Sequence, residues 1–178
     1  MPKHPFTGTL ISIQPRIRLT RSFDQRSHSY LGYALTVDGE INGTIGQFSL
    51  GIGQAAQAKH QFQVGDEVSG EAHPVADSRL ETVNYYKVSK LKVLSRATAE
   101  PDSGPPWHGI PDDLDIYRQR GHRRLAKRTY EAKCGRCIWG CHMAVVMIID
   151  QWNPSQKRYR SETFCHDPLS CPPLHNYQ

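Results

Sequence analysis

Cysteine thiols are the residues of this chain whose type and spacing best suit chemistry. All five cysteines lie between Cys134 and Cys171. Cys134 and Cys137 are separated by two residues, a spacing that lets two thiolates of one tight turn bind the same metal ion. Thiols that cluster in a reducing compartment bind metal more often than they form disulfides, so we expect a metal site here.

The segment between the cysteine pairs predicts a β-hairpin that brings them together. Met143–Ile149 is apolar and β-rich, and Arg158–Phe164 forms a second β-rich run. Asn153-Pro154-Ser155 between them suits a loop. A hairpin returns the chain to its starting end, which would place Cys165 near Cys137. The predicted ligands are therefore four thiolates, from Cys134, Cys137, Cys165 and Cys171.

This pattern resembles a zinc ribbon over residues 131–173. The resemblance implies Zn²⁺ in a structural site, because four thiolates leave no coordination position for a reactive water. The chain departs from the ribbon at Cys165 and Cys171, which five residues separate where a ribbon has two. Cys141 is an alternate ligand or a buried apolar residue. The neighbouring His142 and His166 are further candidate ligands.

An iron–sulfur cluster is the alternative cofactor. Cys134, Cys137 and Cys141 offer three thiolates close in sequence, and Cys171-Pro172 is the pair that ends ferredoxin motifs. On this interpretation the protein would act in electron transfer or redox sensing, with Cys141 in the site.

The first half of the chain predicts a mainly β fold from side chains that alternate with a period of two. The predicted order is three strands, a short helix and two strands. Their ranges are Phe6–Leu19, Tyr30–Val37, Thr44–Leu50, the helix Gln54–Phe62, a strand from Val68 to Val75, and Val83–Leu94. Asp38-Gly39 is predicted to form the tight turn after the second strand.

This order resembles the OB-fold, a five-stranded barrel with one helix, over residues 5–96. The resemblance implies a single-stranded nucleic-acid ligand, with aromatic rings stacked on bases and basic side chains along the phosphates. Arg16, Arg18 and Tyr30 are the outward-facing residues proposed for those contacts.

Residues 99–111 are rich in proline and glycine and predict a linker between domains at 1–98 and 112–178. Trp107 is expected to dock this linker onto a neighbouring surface.

Asp112-Asp113 predicts the start of a basic helix that leads into the cysteine module. Its cations either contact phosphates or form a solvated face paired with acids. They are Arg118, Arg120, Arg123, Arg124, Lys127 and Arg128.

Composition limits the class of protein. The net charge of +5 permits nucleic-acid binding without requiring it. The longest apolar run is Met143–Ile149, far short of the ~20 residues of a membrane helix. The N-terminus has no apolar segment of a signal peptide, so we expect a cytoplasmic location and no membrane partner.

The chain contains no phosphate-binding loop, no Gly-x-Ser-x-Gly and no His-Glu-x-x-His motif, so the sequence does not support an enzyme. The expected function is a non-enzymatic protein that binds RNA or single-stranded DNA and carries a structural zinc ion. Besides the iron–sulfur protein, a protein–protein adaptor remains as an alternative, in which the ribbon and the Trp107 segment only support a platform for a protein partner.

Overall fold

Alternation of buried and exposed side chains produces five strands in the first half of the chain. The computed structural model describes residues 2–98, 106–167 and 171. The strands are β1 (His4–Arg21), β2 (Arg26–Ile41), β3 (Thr44–Ile52), β4 (Glu67–Pro74) and β5 (Tyr85–Ser95). The helix α1 (Gln54–His60) connects β3 to β4. The predicted order of five strands with one helix after the third is confirmed.

The five strands close into a ring. β1 pairs with β2 and β4, β2 pairs with β3, and β4 pairs with β5, all antiparallel. The ring closes through a parallel contact of β3 with β5 at Leu50 and Tyr85. Its interior is filled by inward-facing side chains that are almost completely buried, among them Leu10, Leu35, Leu50 and Phe62.

The tight turn after β2 lies later than predicted. Asp38-Gly39 is inside the strand, and the turn is formed by Asn42 and Gly43, with φ of 49° and 82°. Two consecutive residues with positive φ are what a two-residue hairpin turn requires. Gly39 has another role, because a Cβ there would lie 2.2 Å from the carbonyl oxygen of Thr7 on β1. The glycine permits close approach of two strands.

The second half adds three strands to the outside of the ring. They are β6 (Arg123–Leu125), β7 (Gly140–Ile148) and β8 (Lys157–Cys165). β7 and β8 form the predicted antiparallel hairpin, and β6 pairs with the far side of β8. β7 also pairs in parallel with the end of β1, where Arg18–Arg21 face Ala144–Met147. The eight strands therefore form one continuous sheet.

The predicted basic helix is shorter than its run of cations. The helix α2 spans Leu114–Arg120 and ends at Gly121, whose φ of 69° disfavours a residue with a side chain. Arg123 and Arg124 then lie on β6. Lys127 and Arg128 belong to the separate short helix α3 (Lys127–Thr129), which continues into a π-helical turn at Tyr130–Cys134. The six cations do not share one helix.

A second apolar cluster lies between the ring and the hairpin. It contains Ile17 and Leu19 of β1 with Cys141, Met143 and Phe164 of the hairpin.

Trp107 packs against the barrel cluster, as expected, and its carbonyl oxygen accepts a 2.9 Å hydrogen bond from the amide of Ile138. Residues 99–105 of the predicted linker are outside the described residues. No described helix has the length and apolarity needed to cross a bilayer.

Candidate functional site

The cysteine turn forms at the start of β7. The amide of Cys137 donates to the carbonyl oxygen of Cys134 at 3.1 Å, and the amide of Gly140 donates to that of Cys137 at 3.1 Å. Gly140 is paired with Cys165 across the hairpin. The hairpin thus returns Cys165 to the turn, as the sequence predicts, and the described Cys171 is also buried.

The four predicted ligand thiols influence one another electrostatically. Burial raises the pKa of Cys134, and the neighbouring Cys137 raises it further. Burial also raises the pKa of Cys165 to about 12, with Cys137 and Cys134 contributing. The pKa of Cys171 is raised to about 11 by burial, by Asp167 and by the same two cysteines. The four thiols therefore occupy one neighbourhood and are protonated at neutral pH in the absence of a cation.

The thiols are not arranged at coordinating distances. Within residues 2–98, 106–167 and 171, no group of three or more His, Cys, Asp or Glu side chains is placed to bind a metal ion. The described cysteines are free thiols.

Cys141 lies apart from the other four. Successive residues of a strand face opposite sides, so Cys141, paired with Phe164, faces away from Gly140 and Cys165. Its side chain is fully buried in the second apolar cluster, and its thiol donates to the carbonyl oxygen of Pro15 at 3.4 Å. Burial raises its pKa.

His166 belongs to a row of three histidine rings that are tilted against one another, which we call the histidine stack. The ring centroids of His28 and His122 are 4.4 Å apart, and those of His122 and His166 are 6.0 Å apart. Burial, followed by the neighbouring His122, lowers the pKa of His166 to about 4. Burial also lowers the pKa of His28 and of His122, so the stack favours neutral rings.

Two of the predicted phosphate contacts bind an acid instead. Arg16 Nε lies 3.2 Å from Oε2 of Glu81, and Arg18 Nη2 lies 3.0 Å from its Oε1. Glu81 belongs to the β4–β5 loop, residues 75–84. The two ion pairs fasten this loop across the outer face of β1.

The cations of α2 and the start of β6 attach these elements to their surroundings. The guanidinium of Arg118 lies 4.9 Å from the ring centroid of Tyr30. That of Arg120 lies 4.0 Å from the Trp139 ring. Arg123 donates to the carbonyl oxygen of Asp167. These three cations therefore contact protein groups.

Arg124, Lys127 and Arg128 point to a different part of the surface, and all three are exposed. Arg124 and Lys127 line a cavity of about 200 Å³ that also contains His142. His142 lines two further cavities of about 220 and 310 Å³ as well. The three cavities adjoin at this residue, and we call them together the His142 furrow.

The furrow crosses the outer face of the sheet. At one end it is lined by Thr36 of β2 and Gln47 of β3, and the β4–β5 loop forms one wall through Thr82. At the other end it reaches Arg160 on β8 and Lys127. The furrow thus brings together the barrel, the loop and the hairpin.

Cations, aromatic rings and acids all line this furrow. Tyr130 lines it, and the guanidinium of Arg79 lies 4.5 Å from the ring centroid of Tyr159. Arg124 and Arg160 both pair with the buried carboxylate of Glu162. No local sequence pattern marks Arg79, Tyr130, Tyr159 or Arg160 as binding residues, since long-range packing of the hairpin and the loop brings them together.

Comparison of the chain with protein-family models, with curated proteins and with solved structures gave no match.

Proposed function

We propose that this protein binds single-stranded nucleic acid, RNA or DNA, along the His142 furrow, without catalysing a reaction. The connectivity supports an OB-like barrel, since the ring has the order β1-β2-β3-β5-β4 with a helix between β3 and β4. OB-folds bind oligonucleotides on the face of strands 2 and 3, beside the loop between strands 4 and 5. The His142 furrow occupies that face and is bordered by that loop.

The furrow carries the proposal, because its adjoining cavities combine both kinds of contact that a single strand needs. Arg124 and Lys127 are exposed on its rim and form long ion pairs, with Glu162 at 3.9 Å and with Glu131 at 3.8 Å, so they can exchange these partners for phosphates. Tyr130 and Tyr159 supply aromatic rings. Stacking of a base on an aromatic ring is worth about 1–3 kcal/mol and tolerates any sequence. In this proposal, Arg16 and Arg18 do not bind the strand directly. Their ion pairs with Glu81 hold the β4–β5 loop, which forms one wall of the furrow.

We also propose that Cys134, Cys137, Cys165 and Cys171 bind one structural Zn²⁺. The donor chemistry fits, since four thiols share a neighbourhood next to a tight turn and a hairpin end. A cation would favour the thiolates and fix the turn relative to β8. This would in turn fix Tyr130 and His142, which lie on either side of the turn. The position of Cys141 on the opposite face of β7 disfavours the iron–sulfur alternative that includes it.

Fluorescence anisotropy tests the nucleic-acid proposal. Labelled RNA and single-stranded DNA of about 12 nucleotides, which matches the site size of an OB-fold, are titrated at salt concentrations of roughly 50 to 200 mM. We expect the double substitution Arg124→Gln with Lys127→Gln to weaken binding about tenfold and to reduce the salt slope by about two.

The matched control is Lys3→Gln with Lys92→Gln, which removes two exposed charges away from the furrow. It should leave the salt slope nearly unchanged. Absence of binding at the lowest salt concentration, or an equal loss in the control, would contradict the proposal.

A further inference from the structure

A separate cavity of about 610 Å³ opens where β3 and β5 diverge beyond their contact at Leu50 and Tyr85. We call it the β3–β5 groove. Apolar side chains form much of its wall, including Leu31, Ile52 and Leu91. Basic side chains also line it, and none of the described residues that line it is acidic. The cations are Arg16, Lys59, Lys87 and Lys90.

Arg16 is oriented before any ligand arrives. Its Nε and Nη2 atoms both contact the carboxylate of Glu81, at 3.2 and 3.3 Å. Its third nitrogen, Nη1, lies against Gly51, where an added Cβ would be only 2.4 Å away. Glu81 and Gly51 thus fix the guanidinium at the wall of the groove. A fixed donor loses little conformational freedom when it binds an anion.

The two β5 lysines of the groove occupy unusual backbone positions. Lys87 and Lys90 have φ of 50° and 52°, and the pairing of β5 with β4 is irregular in this stretch. Such conformations in residues other than glycine cost about 1–3 kcal/mol each and occur often at ligand sites. Lys90 pairs with Glu71 at 3.0 Å, whereas the ammonium of Lys87 lies 5.1 Å from the Tyr86 ring centroid.

We propose that the β3–β5 groove binds a nucleoside phosphate. Its volume lies within the range of about 300–1,000 Å³ that is usual for small-molecule sites. Lys59, Lys87 and Arg16 would bind the phosphates. Tyr86 and the apolar wall would receive the base. The ligand is either a free nucleotide or the 5′-phosphorylated end of a strand, since both present the same chemistry.

Isothermal titration calorimetry of the full chain with ADP, adenosine and inorganic phosphate tests this inference. We expect ADP to bind at least about tenfold more tightly than adenosine, because the cations recognise its phosphates. The substitution Lys59→Gln with Lys87→Asn should weaken ADP binding by at least about tenfold. Asparagine is chosen at position 87 because it tolerates positive φ.

Three comparisons make the result specific. Lys92→Gln, on the same strand but outside the groove, should leave ADP affinity unchanged. Tyr86→Leu should weaken ADP binding while the protein keeps its thermal midpoint within a few degrees. Arg124→Gln with Lys127→Gln should leave ADP affinity unchanged, since these residues line the furrow.

Oligonucleotides with a 5′-phosphate or a 5′-hydroxyl distinguish the two ligand sources. Tighter binding of the phosphorylated strand that is lost in the Lys59→Gln, Lys87→Asn variant assigns the groove to a strand end. Equal binding of both strands, with ADP still bound, assigns it to a free nucleotide.

Three results would overturn the inference. They are no ADP binding at millimolar concentration, equal affinity for ADP and adenosine, and ADP affinity that the groove substitutions do not change. ADP binding in a protein that binds no oligonucleotide would leave this inference standing and remove the proposed function.

Discussion

Tyr130 donates its phenolic hydrogen to the side-chain oxygen of Gln14 at 2.6 Å. Gln14 in turn donates through Nε2 to the carbonyl oxygens of Cys134 and Cys137, at 2.9 and 2.8 Å. The glutamine is only 5% exposed, so these bonds are formed away from solvent. One buried amide on β1 therefore fixes both the cysteine turn and the tyrosine of the furrow.

Replacing Gln14 tests this connection. We expect Gln14→Leu to lower the free energy of unfolding by about 2–3 kcal/mol, because it leaves the Tyr130 hydroxyl without its acceptor and removes one of the two hydrogen bonds that each of the Cys134 and Cys137 carbonyl oxygens accepts. Denaturant unfolding measures the loss. Gln151→Leu, at an exposed loop position, is the control and should change the stability by less than about 0.5 kcal/mol. A similar small change in both variants would argue against a structural role for Gln14.

Metal analysis tests the proposed zinc site. The purified protein should contain one equivalent of zinc, and Cys134→Ser should lose it, since three thiolates bind zinc less tightly than four. Cys141→Ala is the matched control and should retain the metal. It should lose about 1–2 kcal/mol of stability through the cavity that it leaves. A brown protein, or metal loss in Cys141→Ala, would instead favour the iron–sulfur alternative.

The stack of histidines predicts a dependence of stability on pH. Burial and the nearby Arg21 and Arg26 lower the pKa of His28, and burial and His28 lower that of His122. Below the ordinary pKa of 6.5, the unfolded chain therefore binds protons more readily than the folded protein. Stability is present above pH 6.5 and is lost as the pH falls through the folded pKa values.

Thermal unfolding between pH 7.5 and 5 measures this effect. We expect the midpoint to fall by on the order of 5 °C, and His122→Phe to reduce that fall because a ring without a titrating nitrogen replaces the imidazole. His73→Gln, outside the stack, should preserve the full dependence. A midpoint that does not change over this range would refute the interpretation.

Removal of the charge of Glu162 is expected to strengthen oligonucleotide binding. Its buried carboxylate pairs with Arg21, at 3.5 Å, and also with Arg124 and Arg160 in the furrow. Glu162→Gln should tighten oligonucleotide binding and increase the salt slope by about one, because a furrow arginine becomes available to phosphate. Glu40→Gln removes the same charge from an exposed position on β2 and serves as the control. Weaker binding in Glu162→Gln would show that the carboxylate positions the arginines productively.

The strands of the barrel could be predicted because their information is local. In the second strand, for example, Tyr33, Leu35 and Val37 follow a period of two and are buried. The hairpin of β7 and β8 was predictable for the same reason.

The arrangement of the second half could not be predicted, because long-range pairing decides it. Residues 123–128 have good helix propensity, yet Arg123–Leu125 pair with the edge of β8 instead. The contact of β1 with β7 has no local signal either. For the same reason, the residues around His142 could not be grouped into one site from the sequence. Only the packing of the loop and the hairpin on the barrel brings them together.

Two strands, β4 and β7, share the edge of β1 that faces away from β2, and this has a consequence for folding. The first residues of β1 pair with β4, whereas its last four pair with β7. The thiol of Cys141 on β7 donates to the carbonyl oxygen of Pro15 on β1, although the two residues are 126 positions apart in the chain. Contacts of such high sequence separation form slowly, because the loop-closure entropy is lost before they add stability. Until β7 arrives, the last part of β1 is an open edge, and a newly made chain is most exposed to strand-to-strand aggregation there.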